Sequence, residues 1–135
     1  MRDLLGLRTK VIGMSSELAN GYARSFRAGK PVGTESSATF ADGMATRQPD
    51  GDAVAIINKG AERIVEVSDG DIADAIRLIF RATHNVAEGA GAAALAALMQ
   101  ERETMRGKRI GLILSGGNID TAKLATVLSG GVPGP

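Results

Sequence analysis

Two periods of hydrophobic and polar positions run along this chain. From Ser68 to Asn85 the apolar residues Ile72, Ala75, Ile76 and Ile79 recur every three or four places, predicting a helix with one stripe turned to a core. Ser68 is suited to cap its start, with Asp71 three residues on as a short-armed capping-box acid. His84 and Asn85 close it, and the single histidine there suits a helix C-terminus better than a catalytic base. Gly89 to about Met105 predicts a second helix, rich in alanine and ended at Gly107; alanine has the highest helix propensity and lets neighbours approach closely. Thr121–Leu128 predicts a third. A further helix opens at Ser16 and Glu17 and runs through Leu18, Tyr22, Ser25 and Phe26 to Gly29 and Pro31. Met1–Arg8 reads as the tail of a helix.

The other period is that of short, continuous apolar runs. Val11–Met14, Ala53–Ile57, Arg63–Val67 and Ile110–Leu114 read as strands, and Val86–Ala87 as a very short one. Gly33–Ala38 is a polar loop, Thr39–Thr46 is too interrupted by glycine for a strand, and Pro49-Asp50-Gly51 marks a turn. From Val65 onward strand and helix alternate, which predicts an α/β fold: a parallel sheet flanked by helices in three layers.

Composition narrows this picture. A chain of 135 residues suffices for one domain with a core. A formal charge of +1 with interspersed signs gives no footprint for nucleic acid or a membrane surface. There is no cysteine, so disulfides and thiolate metal sites are excluded. No apolar tract has transmembrane length, and a cytoplasmic location is the default expectation. Aromatic residues make up only 3%, so the core has to be aliphatic and alanine-rich.

The candidate chemistry gathers where apolar runs end. After Leu114 the chain passes into Ser115-Gly116-Gly117-Asn118, and in open α/β sheets ligands bind at the carboxyl ends of strands. Two glycines let the backbone come close to a flat or anionic ligand, while the Ser115 hydroxyl and Asn118 amide offer directional hydrogen bonds. By itself the segment reads equally as an ordinary strand-to-helix turn. Ala41-Asp42-Gly43 and the run from Glu88 to Ala92 stand at similar places. From the residues alone, Glu88 is a carboxylate favoured at a helix N-terminus.

Taken in order, these stretches resemble the carboxyl-terminal part of threonine/serine dehydratases (ammonia-lyases), fold-type-II enzymes that depend on pyridoxal phosphate. The family pattern of V-I-G-V, A-D-G, R-x-P-G, V-x-D-x-x-I, E-P-A-G-A-A-A-L-A-A and S-G-G-N-x-D is matched in register. The matching segments are Val11–Met14, Ala41–Gly43, Arg47–Gly51, Val67–Ile72, Glu88–Ala97 and Ser115–Asp120. The resemblance implies that residues 1–128 are the carboxyl-terminal part of a cofactor-binding large domain, with 129–135 a flexible tail. It implies that Ser115 hydrogen-bonds the cofactor's pyridine nitrogen and that Gly116 and Gly117 pass beneath the ring. Asn118 would support that loop, Gly43 would lie against the ring, and Glu88 would stand close by.

The departures set further expectations. The family's Schiff-base lysine has a serine-x-lysine context that Lys10, Lys30, Lys59, Lys108 and Lys123 all lack. The chain is thus expected to be a fragment, supplying cofactor contacts but no catalytic lysine. The positions of the family's cation-binding acids correspond to Ser15 and about Gly21, so no metal site is expected. Gly89 replaces the usual proline after the glutamate. The activity implied for the complete enzyme is loss of the β-hydroxyl from a hydroxy amino acid, giving a 2-oxo acid and ammonia. Expected partners are an amino-acid substrate and either a second copy or a complementing chain. The alternative is a non-catalytic ligand-binding or interaction module derived from the family.

Overall fold

The structure, a computed structural model, describes residues 4–135. Strand β1 (Ile12–Ser16) pairs in parallel with β2 (Arg63–Val67), Ile12 opposite Arg63 and Ser16 opposite Val67. Parallel neighbours need a long crossover, and here helices α1 (Gly21–Ala28) and α2 (Gly51–Gly60) lie within it. After β2 come α3 (Asp69–Thr83), α4 (Gly89–Gln100), the short α5 (Arg102–Met105) and α6 (Thr121–Leu128). The class is α/β as the periodicity predicts, with a sheet of two strands among the described residues.

The core lies where α3 meets α4. Ile72, Ala73, Ala75 and Ile76 of α3 are buried against Ala92, Ala93, Ala96 and Ala97 of α4, with Val67 and Val127 closing the cluster. The Ser68 hydroxyl accepts from the Asp71 N–H at 3.1 Å, and the Asp71 carboxylate accepts in return from the Ser68 N–H, a complete capping box. That carboxyl is held below its ordinary range, first by the Ser68 hydroxyl and then by Gln100. At the other end His84 takes a left-handed conformation (φ 59°), and its N–H donates to Phe80 O, so it terminates the helix.

Two arginines staple the layers. Arg63 of β2 grips Glu101, just after α4, through Nε–Oε1 (3.0 Å) and Nη2–Oε2 (2.6 Å), which lowers the pKa of Glu101. Arg77 of α3 donates to Val127 O (2.8 Å) and Gly131 O (3.1 Å), and its other nitrogen meets Asp74. Around the second staple the Gly131 N–H returns to Thr126 O, and Pro133 is buried.

Several expectations change. Ala53–Ile57 is helical, within α2, because Asp50 acts as its N-cap and accepts from the Ala53 N–H at 2.9 Å. Asp50, expected in a turn, instead caps the start of a helix. Ile110–Leu114 forms no strand: the segment has no ladder partner among the described residues. Val86–Ala87 makes no strand either; one bond, from the Glu88 N–H to Gly116 O (3.1 Å), ties this stretch to the glycine loop. The helix expected from Ser16 begins as a 3-10 turn, Glu17–Ala19, and α1 proper starts at Gly21. The helix from Gly89 breaks at Glu101. Of the expected helix tail at Met1–Arg8, residues 1–3 lie outside the described residues, and Leu4–Gly6 form a turn with Gly6 at φ 60°.

Candidate functional site

Three separated stretches converge on one cleft of about 170 Å³. Its lining includes Asp42 and Gly43 from a 3-10 turn, Glu88 to Ala90 from the start of α4, and Asn118, Asp120 and Lys123 from the entry to α6. Gly43, Glu88 and Asn118, all read from the sequence as cofactor contacts, therefore come together. They arrive by different routes.

The turn carrying Gly43 is anchored by Asp69, the first residue of α3. Thr39 donates its hydroxyl to Asp69 Oδ1 (2.5 Å) and the Phe40 N–H donates to Oδ2 (3.2 Å). The same hydroxyl accepts from the Ala41 N–H at 3.2 Å, so a buried threonine and one carboxylate fix the arm that enters the turn. An ionised acceptor makes the stronger class of hydrogen bond. Asp69 was not singled out in the sequence, because its role depends on Thr39, thirty residues away. Glu88 is the N-cap of α4 but its side chain makes no cap bond.

The glycine loop is held by close backbone contact. A Cβ on Gly116 would strike the Glu88 carboxylate, and one on Gly117 would lie 2.5 Å from Val86 O. A Cβ on Gly91 would in turn meet Gly116 O. These glycines are thus required by the approach of the loop to the start of α4. Ser115 precedes them, exposed, and its hydroxyl has no hydrogen-bond partner among the described residues. Ser115, Gly116 and Gly117 adjoin the cleft without being among its lining residues.

Lys123, which lacks the context of the family's Schiff-base lysine, nevertheless lines the cleft. It lies in the first turn of α6, three positions after Asp120, and its ammonium is 3.7 Å from Asp42 Oδ1. The helical spacing from Asp120 was the available signal. The cleft accordingly carries the carboxylates of Asp42, Glu88 and Asp120 and a single ammonium.

Comparison with known proteins is consistent with this geometry. An L-threo-3-hydroxyaspartate ammonia-lyase of Pseudomonas sp is 35% identical over 118 residues, 87% of this chain and 37% of that protein. An L-threonine ammonia-lyase of Thermotoga maritima is 33% identical over 123 residues, 91% of this chain and 30% of that protein. The structure of the processed form of threonine deaminase isoform 2 from Solanum lycopersicum superposes with a TM-score of 0.85 at 28% identity, covering 96% of this chain and 38% of that one. The chain thus spans less than two fifths of the length of these relatives.

The residues fit the ring side of pyridoxal phosphate, with an unpaired hydroxyl at Ser115 beside a glycine-walled, carboxylate-bearing cleft. With residues 2–116 matching its family model as well, the chain belongs to the pyridoxal-phosphate dependent enzymes.

Proposed function

We propose that this chain forms the cofactor-ring side of a pyridoxal-phosphate dependent ammonia-lyase acting on a β-hydroxy amino acid. The observation that carries the reading is the convergence of Gly43, Glu88 and Asn118 on one cleft beside the unpaired Ser115 hydroxyl. When bound, the cofactor supplies an electron sink for carbanion chemistry at the amino acid's α-carbon. Ser115 is neutral. Its hydroxyl would hold the pyridine nitrogen by a hydrogen bond without keeping it protonated as a carboxylate would, which would suit loss of a β-hydroxyl. Asp69 and Thr39 keep the Gly43 turn in place, and the Gly91–Gly116 contact holds the Ser115 loop against α4.

In this reading residues 1–128 are the carboxyl-terminal part of the cofactor domain, and the Schiff-base lysine comes from polypeptide outside these residues. Lys123, the lysine of this cleft, is directed at Asp42. The test is release of 2-oxobutanoate from L-threonine. The chain with added cofactor should not exceed the rate of free cofactor, and a polypeptide supplying the remaining portion of a family enzyme should restore turnover. Turnover by the chain alone would overturn the assignment of the lysine, and none after complementation would overturn the lyase reading.

The exposed, unpaired segment 109–114, in which Ile113 is 80% exposed, favours a partner chain or second copy pairing there. It would serve a derived interaction module equally, and that second reading predicts complex formation without turnover.

A further inference from the structure

A second concave surface lies apart from the cofactor cleft. It has a volume of about 610 Å³ and is lined by Arg24, Gly33, Thr34, Glu35, Arg47 and Gln48. Arg24 comes from α1, and the others from the two arms of the loop that follows it. The Thr34 N–H donates to Arg47 O at 2.9 Å, which clips the arms together. Gly33 lets Gln48 close over this clip: a Cβ there would lie 2.6 Å from Gln48 Oε1.

What sets this surface apart is that two guanidinium groups without protein partners share one cavity. Arg27, Arg63, Arg77, Arg102 and Arg106 each have a carboxylate partner. Arg24 and Arg47 have neither ion pair nor side-chain hydrogen bond among the described residues, although they face one cavity. Glu35, on the same lining, is also unpaired, so the net charge of the surface is +1.

We propose that this surface binds a soluble small molecule through a phosphoryl group, held between Arg24 and Arg47. Each guanidinium presents a fork of N–H donors, and two forks from different walls offer four. A tetrahedral phosphoryl group has three oxygens to receive them, whereas a planar carboxylate is satisfied by one fork. The Gln48 amide adds a neutral donor at the floor. The proposal is independent of the cofactor reading.

The experiment is an NMR titration of the isotope-labelled chain with inorganic pyrophosphate, with affinities checked by calorimetry. One saturable site is expected, with shifts centred on the amides of Gly33, Thr34 and Arg47. Arg24→Gln and Arg47→Gln should each weaken binding at least about tenfold, the loss of one charge-assisted contact. Glu35→Gln should strengthen it, since a like charge is removed. Arg81→Gln, which removes an exposed unpaired arginine elsewhere, should leave it unchanged. These side chains are at the surface, so the variants keep the fold. Non-saturable binding, shifts centred on Asn118 to Lys123 instead, or equal affinity in the parent and both arginine variants would overturn the proposal.

Discussion

The α3–α4 pair and the run Ile110–Leu114 both read as apolar in the sequence, and they are opposite in their surroundings. Ile72 and Ile76 are fully buried against a sheet of alanine methyls, while Ile110, Leu112, Ile113 and Leu114 are exposed. The helices satisfy their own backbone, so a stripe of apolar residues needs only one neighbour to become a core. An extended segment leaves its N–H and C=O groups open on both edges and needs a ladder partner as well. The difference shows where stability and function separate. The pair that holds the protein together reaches the cleft only at its helix starts, through the first turn of α4 and through Asp69 of α3 under the Gly43 turn. The segment that delivers Ser115 rests on a few glycine contacts at its far end.

Five substitutions probe that contrast. Ile76→Ala removes a fully buried side chain from the core cluster and should cost about 2–5 kcal/mol in a urea unfolding titration. A loss as small as that of a surface residue would mean the helix pair is not the stabilising unit.

Next comes Ser115→Ala, made in the complete enzyme. Its exposed hydroxyl carries no structural bond, so the melting temperature should not move. Cofactor affinity should weaken roughly 5- to 150-fold, the equivalent of about 1–3 kcal/mol for an acceptor left unpaired. Unchanged affinity and turnover would make Ser115 a turn residue and no more.

The capping box tests the helix pair more gently. Ser68→Ala should cost about 0.5–2 kcal/mol. The Asp71 carboxyl has its folded-state pKa lowered, first by the Ser68 hydroxyl. Its contribution is therefore fully present above the unfolded carboxylate value of about 3.9 and is lost as the pH falls through the lower folded value. Stability of the parent measured across that acid range should fall more steeply than that of Asp71→Asn.

The smallest effect on stability is expected on the exposed segment. Ile113→Asn should change the unfolding free energy of the chain by no more than about 0.5 kcal/mol. It should shift sedimentation toward smaller species, because it removes an apolar side chain from the face proposed to pair with another chain. A destabilisation comparable to Ile76→Ala would show that the segment is supported within this chain.

By itself the sequence determined what local physics dictates. The apolar period of α3, the Ser68–Asp71 box and the helix end at His84 all rest on residues within a few positions of one another, and each is present as read. The stretches at Ala41, Glu88 and Ser115 carried a chemical reading only through their family resemblance, since by itself the Ser115 segment reads equally as a strand-to-helix turn. Only tertiary structure decided whether an apolar run was a strand. Ala53–Ile57 became a helix through the cap at Asp50, and Ile110–Leu114 has no ladder, since periodicity records an apolar run but not its hydrogen-bonding partner. Tertiary structure also brought Lys123 beside Asp42, Asp69 under the Gly43 turn, and Arg24 and Arg47 to one cavity. Those contacts join residues far apart in the chain, and no local pattern encodes a distance that only folding closes.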